Sequence, residues 1–458
     1  MKVLLLNPPG ARTYIRDYFC SKTTKSNYVI HPMDLVAMSG TLASRHAVSA
    51  IDAIAERLSV DAALARIDAL SPDVVVSLVG SVSWAEDRAF LAQVARRGAR
   101  VLAIGDVLQE RSEERLAEEP WLEAALHDFT NDDVLRYLDG DRSGVAQMTV
   151  RGEDGGIVRR RSGARHGTFR IPRPRHELFP ARGYRFSFAR KQPFATVLTD
   201  YGCPYPCTFC VIGTLGFKTR PVEDVLQEID HLRSRGVLEI FFLDQTFGLV
   251  RERALELCAA LADRGDLAWT AFTRPDTART ELLGAMARAG CHTVILGVES
   301  ADDAVLERYE KGYDTAEVRR AVAEAKRAGL RTVGTFIVGL PEESEATLRA
   351  TLDFAVELGL DFMSLNMAVP RFGTPFRERA LGLGLARERE LVMDQGGARA
   401  SLPTASLSLE RMLALKKRMV RRFYLRPKWI AGRLASVRSA GELARQVREG
   451  AALLARNL

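Results

Sequence analysis

The chain has 458 residues, 47% hydrophobic and 27% charged, an ordinary composition for a water-soluble protein with more than one hydrophobic core. Its six cysteines are too few for a disulfide-stapled secreted scaffold, no apolar run is long enough to span a membrane, and the apolar stretch after Lys2 is too short for a signal peptide. The net charge of +7 is modest for this length and does not by itself indicate nucleic-acid binding. We therefore expect a cytoplasmic protein.

The first 140 residues alternate short apolar strands with helical patterns. Strands are predicted at 1–6, 47–52, 72–79 and 100–105, and helices at 33–44, 58–67 and 84–96. Because strands this apolar are buried on both faces, the pattern predicts a parallel sheet covered by helices, that is, a doubly wound α/β domain over residues 1–140. Ligands of such domains bind at the carboxyl ends of the strands, so the loops 7–10, 80–83 and 105–106 are candidate binding loops.

Residues 141–192 shift in composition to Arg, Gly and Pro. A hairpin-like pattern at 148–161 is followed by the proline-rich stretch 171–180. The composition predicts a mostly irregular basic linker between two larger domains, with its arginines solvated at the surface.

A second alternation of strands and helices follows the linker. Strands are predicted at 194–199, 238–244, 267–273, 292–297, 331–339 and 361–367, with helices at 222–235, 249–264, 277–289, 302–328 and 342–358. Repeated βα units of this kind predict a parallel barrel, and six of them fall short of the eight that close a full one. Chemistry in such barrels lies on the loops after the strands, so residues 193–375 are expected to form a partial (βα)6 barrel with its site on that rim.

The loop after the first barrel strand contains Cys203, Cys207 and Cys210. Thiolates at this spacing can converge on one soft metal centre. Three cysteines on a four-iron cluster leave one iron open to bind a cofactor or substrate, which a four-cysteine electron-transfer site cannot do. A zinc site is the alternative, but it needs a fourth ligand, and the nearest downstream histidine is His292, two βα units away.

This CxxxCxxC loop, with Phe209 before its last cysteine and a six-stranded barrel behind it, resembles the radical S-adenosylmethionine (radical SAM) superfamily. The resemblance covers about residues 193–375. It implies a [4Fe-4S] cluster on the three cysteines, with S-adenosylmethionine chelated to the open iron and cleaved to a 5′-deoxyadenosyl radical. It also implies an external one-electron donor of the flavodoxin or ferredoxin type.

The same resemblance implies S-adenosylmethionine contacts on the loops after the barrel strands. These cofactor-binding residues are Phe209, Asp244, Gln245, Arg274, Glu299, Ser300, Val338, Gly339 and Met367. Asp244 could pair with the methionine amine or could cap a helix, and Arg274 could pair with the methionine carboxylate or lie at the surface. The glycines near 339 could also serve close packing of helix and strand. No catalytic acid or base is assigned.

The front domain and barrel together resemble the cobalamin-binding radical SAM enzymes over roughly residues 1–375. The resemblance implies cobalamin held at the front sheet by Asn7, Pro8, Pro9, Gly10, Gly80, Ser81, Ser83 and Gly105. The chain has no DxHxxG triplet, so no histidine is expected on cobalt, and the glycine-rich loops of the family are short here. A front domain kept only as a scaffold remains an alternative.

Other classes of protein fit less well. Methylthiotransferases that act on transfer RNA carry three more cysteines in the front domain, where this chain has only Cys20. A non-catalytic iron-sulfur redox protein does not need the barrel or its rim motifs. No RNP, KH or helix-turn-helix signature supports a nucleic-acid-binding module, so no nucleic-acid partner is expected.

The C-terminal region, residues 376–458, is predicted to be helical and basic. Its last fifty residues carry thirteen Lys and Arg against three Glu, and apolar residues recur at helical spacing from Leu409 to Tyr424. The pattern indicates either a helical cap with a solvated basic face or a face that meets an anionic partner, which could be a phosphate-bearing substrate or a membrane surface contacted through Lys416, Lys417, Arg421 and Arg422.

The prediction for the whole chain is a radical SAM enzyme that uses cobalamin to methylate an unactivated carbon of a small or lipid-like substrate. The alternative within the family is a rearrangement or cyclisation.

Overall fold

A computed structural model describes residues 1–458 apart from 153, 164, 181, 392–393, 398–401, 436, 438–439 and 456–458, and for 440–442 and 445 it describes the backbone alone. Parts of the predicted C-terminal region therefore lie outside the described residues. Two large sheets dominate the remainder.

The front sheet has seven strands in the order β4-β1-β5-β6-β7-β8-β9, of which the first five are parallel. The strands are β1 (Lys2–Asn7), β4 (Ala47–Asp52), β5 (Val74–Leu78), β6 (Arg100–Ile104), β7 (Leu122–Leu126), β8 (Gln147–Arg151) and β9 (Ile157–Arg161). A small antiparallel pair, β2 (Tyr14–Ile15) and β3 (Lys22–Thr23), follows β1.

Helices cover both faces of this sheet. They are α1 (Met33–Ala43), α2 (Val60–Leu70), α3 (Trp84–Ala95), α4 (Ser112–Glu118) and α5 (Asp133–Leu138). Along β1, Val3 and Leu5 face one core with Leu35 of α1, while Leu4 and Leu6 face a second core that includes α2 and α3. This alternation of faces explains why the strands read as continuous apolar runs, and it confirms the predicted doubly wound domain.

The region from 106 to 161 differs from the sequence prediction. Strand β7 and helices α4 and α5 are short and were missed. The hairpin β8–β9 is not part of an irregular linker, because it pairs antiparallel with β7 and extends the front sheet. Its inward-facing residues Met148 and Val150 are buried in the same core as β1, which explains why the hairpin joins the sheet.

The second sheet has six parallel strands in the order β11-β14-β15-β16-β17-β18. They are β11 (Phe194–Val197), β14 (Glu239–Phe242), β15 (Ala268–Thr273), β16 (Cys291–Glu299), β17 (Arg331–Val338) and β18 (Phe362–Met367). The helices between them are α6 (Val222–Ser234), α7 (Arg251–Ala262), α8 (Thr280–Arg288), α9 (Asp303–Arg308), α10 (Thr315–Arg327) and α11 (Glu345–Glu357). The six-stranded partial barrel is confirmed, and the long helix predicted at 302–328 is two helices.

The front sheet and the barrel share one core. Tyr18, Phe129 and Tyr201 stack edge to face or tilted between them, with ring centroids 5.5 to 6.2 Å apart. A buried ion pair joins Lys218, on the short strand β13 (Phe217–Thr219), to Asp128 of the front domain. Strand β13 also pairs with β10 (His166–Thr168) and β12 (Asp200–Gly202). The face of the front sheet that carries α1 therefore lies close to the open side of the barrel.

The C-terminal region is helical, as predicted. Its helices are α12 (Pro375–Gly382), α13 (Leu409–Tyr424), α14 (Pro427–Ala435) and α15 (Ala440–Ala455). Met412, Met419 and Phe423 of α13 are buried against the barrel core. Lys416, however, is also buried, so it does not belong to the exposed basic face in which the sequence analysis placed it. Within the described ranges, no helix combines the length and the apolarity that a bilayer crossing requires.

Candidate active site

A cavity of about 1100 Å³ lies inside the partial barrel. Its lining comes from four parts of the chain: the cysteine loop, the barrel strands, the front-domain segment 11–30 and the C-terminal helices. Sites for a single small molecule are typically about 300 to 1000 Å³. The volume of this cavity therefore lies just above the upper end of that range.

The cysteine loop is held on the rim by backbone hydrogen bonds at both ends. The Cys203 N–H donates to the Gly216 carbonyl (2.9 Å), and the Thr208 N–H donates to the carbonyl of Tyr309 (3.2 Å). Gly202 has φ +79°, and a Cβ there would lie 2.0 Å from the Gly216 carbonyl oxygen, so the turn into the loop requires glycine.

The three predicted ligands Cys203, Cys207 and Cys210 all line the cavity. Burial raises the pKa of Cys203 and raises the pKa of Cys210 to about 12. Three neighbouring thiolates at this depth need positive charge close by. The donor set of three thiols on one loop fits an iron-sulfur cluster, whose irons supply that charge.

The histidine that a zinc site would need is elsewhere. His292 lies at the start of β16, the end of the strand away from the rim, and its Nε2 lies 2.8 Å from a Glu239 carboxylate oxygen. In the described part of the chain, no group of three or more His, Cys, Asp or Glu is arranged to hold a single metal ion. A four-iron cluster binds each thiolate to a separate iron and so does not require such convergence on one point.

Arg274 contacts the cysteine loop directly. Its Nη1 lies 3.6 Å from the Cys207 Sγ, and its guanidinium stacks 3.4 Å from the centroid of the Tyr205 ring. Asp276 accepts two hydrogen bonds from Arg274, at 3.0 and 2.7 Å, and fixes the plane of the guanidinium. Arg274 is 5% exposed, so the surface alternative is wrong. Two of its donor nitrogens already serve Asp276, which leaves Nη1 facing the thiol.

Lys311 and Glu299 form an ion pair on the same rim, with Nζ and Oε1 3.2 Å apart. The Lys311 ammonium also lies 5.3 Å from the ring centroid of Phe209, the aromatic residue inside the cysteine motif. Glu299 has φ +65°, and the β16–β17 register shifts between Gly297 and Glu299. This local irregularity turns the Glu299 carboxylate into the cavity.

Asp244 does not line the cavity in the structure. It is fully buried, and its carboxylate accepts hydrogen bonds from the Thr199 N–H (2.6 Å), the Asp200 N–H (2.9 Å) and the Thr199 hydroxyl (2.7 Å). Burial raises the pKa of Asp244. It caps no helix, because α7 begins only at Arg251. Asp244 instead ties the loop after β11 to the loop after β14, and its neighbour Gln245 lines the cavity.

Of the remaining predicted S-adenosylmethionine contacts, some line the cavity and others do not. Phe209, Glu299 and Met367 line the cavity, whereas Ser300, Val338 and Gly339 do not. The Ser300 hydroxyl accepts the Asp302 N–H (3.1 Å). A Cβ on Gly339 would lie 2.8 Å from the Met412 Sδ, so this glycine serves the packing of α13 on the barrel.

Arg16 binds to the first of the loops predicted to hold cobalamin, residues 7–10. Its guanidinium is buried, donates to the side chain of Asn7 (3.0 Å) and to the carbonyls of Pro8 (2.9 Å) and Pro9 (3.2 Å), and pairs with Asp87 at 2.6 Å. Asn7 also donates to Asp52 (2.9 Å). None of Asn7, Pro8, Pro9 and Gly10 lines the cavity.

The other predicted cobalamin residues also form hydrogen bonds or close packing contacts within the front domain. The Gly80 N–H and Ser83 hydroxyl donate to Asp87, and the Ser81 N–H donates to Asp106 (2.8 Å). A Cβ on Gly105 would lie 1.8 Å from the Val79 carbonyl oxygen, so the backbone at Gly105 packs directly against the end of β5. The front-domain residues that do line the cavity come from the following segment, including Arg12, Lys22 and Lys25.

Sequence reasoning missed several residues of this site. Lys311, Lys25 and Lys416 line the cavity but belong to no motif. Lys311 lies twelve residues after Glu299 and follows the same barrel strand, so its place in the sequence was only a weak indication that it belongs to the site. Lys25 and Lys416 are brought together only by the tertiary fold.

Comparison with known proteins identifies the group to which the chain belongs. The family model for the radical SAM superfamily matches residues 197–355. An uncharacterized methyltransferase of Pyrococcus horikoshii, PH0819, is 30% identical over 445 residues, 93% of each chain.

Two solved structures share the fold. The radical SAM methyltransferase TsrM from Kitasatospora setae, with cobalamin and a [4Fe-4S] cluster bound, matches at a TM-score of 0.65 and 21% identity, over 87% of this chain and 76% of TsrM. The cobalamin-dependent radical SAM enzyme OxsB, with aquacobalamin and S-adenosylmethionine bound, matches at a TM-score of 0.69 and 15% identity, over 97% of this chain and 70% of OxsB. The chain therefore belongs to the radical SAM superfamily, and it is a radical SAM enzyme with the fold of the cobalamin-dependent members.

Proposed function

We propose that this enzyme methylates an unactivated carbon of a small or lipid-like substrate, with a [4Fe-4S] cluster, S-adenosylmethionine and cobalamin as cofactors. The observation that carries the proposal is the single cavity that connects the cysteine loop, the barrel rim and the front-domain segment 11–30. Methyl transfer by this chemistry needs a radical source, a methyl carrier and a substrate in one enclosed space. The cobalamin bound in TsrM and OxsB and the methyltransferase name of PH0819 support the same conclusion.

The proposal assigns Cys203, Cys207 and Cys210 to the cluster. Phe209, Gln245, Glu299 and Met367 line the adjoining cavity and are assigned to S-adenosylmethionine. When bound, these groups supply a carbon-centred radical that removes a substrate hydrogen, and cobalamin supplies the methyl group. An external one-electron donor of the flavodoxin or ferredoxin type is expected to deliver the electron.

The chain's own residues prepare the cavity for this reaction. The interior strands present Phe241, Phe272, Ile295 and Val333, an apolar lining that excludes water and protects a reactive radical. At the rim, the Lys311 ammonium orients the Glu299 carboxylate (3.2 Å). Glu299 can therefore accept hydrogen bonds from hydroxyl or ammonium groups of a bound cofactor without changing its orientation.

A second candidate is a radical rearrangement or cyclisation in which the front domain is only a scaffold. The observation in its favour is the closure of the loops at Asn7, Gly80 and Gly105 by Arg16, Asp87 and their neighbours. Cobalamin binding at those loops requires displacement of the buried Arg16–Asp87 pair. The two candidates differ in whether the chain retains cobalamin.

The cysteine assignment is tested by Cys207→Ala in anaerobically reconstituted protein. The wild type should carry about four irons per chain and release 5′-deoxyadenosine from S-adenosylmethionine. Cys207→Ala should lose both. Cys258→Ala is the matched control, because Cys258 is buried in α7 away from the cavity and should retain both. Full cleavage of S-adenosylmethionine by Cys207→Ala would contradict the assignment.

A further inference from the structure

Two lysines face the cavity without a carboxylate partner. Lys416 is 7% exposed, and its Nζ donates to the Gly396 carbonyl (2.9 Å). Lys25 is half-buried, and its Nζ donates to the Ser364 hydroxyl (3.0 Å) and to the Asn366 side chain. No carboxylate of the described residues lies within ion-pair distance of either ammonium, whereas Lys22, Lys311 and Arg371 on the same cavity each have one.

The two ammonium groups are close enough to influence one another. Burial and the neighbouring charge of Lys416 hold the pKa of Lys25 well below its ordinary value, and burial lowers the pKa of Lys416 to about 8. Asp394 is the acidic group in this neighbourhood, but its carboxylate accepts the N–H and hydroxyl of Thr23 (2.9 and 2.7 Å). Burial disfavours the charged form of both lysines, the charge of Asp394 offsets this only in part, and an anion in the cavity would stabilise both ammonium groups.

Beyond the lysines the wall along β18 is largely aromatic. Ser364 and Asn366 alternate with buried residues on β18, so that Phe362 faces the cavity from the same side of the strand. The Phe362 ring lies 5.0 Å from that of Phe188 and 6.4 Å from that of Trp429, by centroid. From Asn366 to Phe362 the strand spans about 13 Å at its usual rise per residue. One end of this wall carries the two lysines, and the other is formed by aromatic rings, with the Arg433 guanidinium 4.7 Å from the Phe362 ring centroid.

We propose that Lys25 and Lys416 bind the anionic headgroup of an amphiphilic substrate, a carboxylate or a phosphate, whose apolar body lies along β18 against Phe362 and Trp429. This substrate class refines the methylation reaction proposed above and rests on it. The recognition chemistry is two charge-assisted hydrogen bonds at the headgroup and burial of an apolar chain of about 10 to 12 carbons, the length that the strand accommodates.

The test uses dodecanoate as the probe, with dodecan-1-ol as its neutral counterpart, on the full-length reconstituted protein. Calorimetry measures binding, and the fluorescence of Trp429 in the cavity wall reports it independently. Dodecanoate should bind wild type at least tenfold more tightly than dodecan-1-ol, which corresponds to about 1.4 kcal/mol. Dodecyl phosphate in a parallel titration identifies the preferred headgroup.

Three variants locate the headgroup site. Lys25→Met and Lys416→Met should each weaken dodecanoate at least tenfold and leave dodecan-1-ol unchanged. Lys417→Met is the control, because Lys417 is the next residue on α13 but is exposed. If a Met variant does not fold, Lys→Gln at the same position keeps a donor for the Gly396 or Asn366 oxygen. Equal affinity for dodecanoate and dodecan-1-ol, or an equal loss in Lys417→Met, would overturn the proposal.

Two further measurements distinguish the headgroup proposal from cobalamin binding by the same lysines and from the proposed function. Hydroxocobalamin affinity should be the same in wild type, Lys25→Met and Lys416→Met, and a parallel loss of cobalamin binding would assign the lysines to the cofactor instead. Wild-type cleavage of S-adenosylmethionine is scored without any probe. If cleavage is absent, the proposed function fails. If cleavage occurs but dodecanoate binds no better than dodecan-1-ol, the headgroup proposal alone fails.

Discussion

The Arg274 guanidinium lies 3.6 Å from the Sγ of Cys207, so the loop after β15 places a fixed positive charge on the cysteine loop after β11. Asp276 holds the guanidinium in this orientation through two hydrogen bonds. In the proposed assignment Cys207 is a ligand of the cluster, and a cation so close to its thiolate would stabilise negative charge on the cluster. Arg274 is therefore expected to favour the reduced cluster, the state from which S-adenosylmethionine is cleaved.

The prediction is that Arg274→Gln lowers the reduction potential of the cluster. A hydrogen bond from a charged donor is worth about 1.5 to 3 kcal/mol, and the potential shifts by the part of this energy that differs between the reduced and oxidised cluster, so the expected shift to more negative values is at most about 130 mV. A redox titration followed by electron paramagnetic resonance, without S-adenosylmethionine, measures it. Arg279→Gln is the control, since Arg279 pairs with Glu317 at the surface. An unchanged potential in Arg274→Gln would show that the contact with Cys207 does not influence the reduction potential of the cluster.

Glu343 predicts a pH dependence of stability. It is 4% exposed and accepts N–H groups from Gly339 and Leu340, and burial raises its pKa to about 7 from an ordinary value of 4.5. A carboxyl group with a raised pKa in the folded state contributes its full stability below pH 4.5 and loses it as the pH rises to 7.

Glu343→Gln stays neutral over this range, so its stability relative to wild type should rise by about 3 kcal/mol between pH 4.5 and pH 7 and then stay constant. Urea unfolding at a series of pH values measures the difference. Glu378→Gln, at an exposed position, should show no such trend. A flat difference for Glu343→Gln would mean that burial does not raise the pKa of Glu343 in the folded protein.

The fold and the cysteine loop could be predicted from the sequence because both depend on local patterns. Apolar runs of strand length indicate buried parallel strands, and the positions of Cys203, Cys207 and Cys210 are separated by a few residues on one loop. The short elements between 106 and 140 were missed because α4 and α5 span only seven and six residues, too few for a periodic signal.

The orientation of individual side chains could not be predicted. Asp244 and Gln245 are adjacent, yet the Asp244 carboxylate accepts hydrogen bonds from backbone N–H groups of another loop, whereas Gln245 lines the cavity. Arg16 closes the loops assigned to cobalamin through contacts with Asp87, which lies 71 residues away. Such pairings depend on long-range packing, and no local spacing encodes them.

Cobalamin should bind without a histidine on cobalt. No histidine lines the cavity in the described part of the chain. Protein incubated with hydroxocobalamin and desalted should retain it with the nucleotide base displaced from cobalt. After reduction, the Co(II) resonance spectrum should lack nitrogen splitting. Failure to retain cobalamin would favour the second candidate, in which the front domain is a scaffold.

The exposed basic face of the C-terminal helices predicts salt-sensitive binding to anionic vesicles. Because Lys416 is buried and Arg421 is only partly exposed, the exposed basic residues of α13 in this face are Lys417, Arg418 and Arg422. Leu434 of α14 and Val447 of α15 are exposed apolar residues of the same C-terminal region. Each basic residue near an anionic surface contributes about 1 kcal/mol, so replacement of all three by Gln should weaken binding at least tenfold.

Vesicle sedimentation at low and high salt measures this binding. The control replaces Arg66, Arg96 and Arg97 by Gln, three exposed arginines on the front domain. Equal sedimentation with neutral and anionic vesicles would contradict a membrane contact and leave the helices as a cap on the barrel.

The most direct test of the account is the fate of the methyl group of S-adenosylmethionine. Reconstituted enzyme is incubated with cobalamin, a reductant, methyl-deuterated S-adenosylmethionine and an extract of amphiphilic acids, and the products are analysed by mass spectrometry. Methyl transfer predicts a product that has gained one methylene unit and carries three deuterium atoms, together with 5′-deoxyadenosine, and both should be absent with Cys207→Ala. Formation of 5′-deoxyadenosine with a product of unchanged carbon count would contradict methyl transfer.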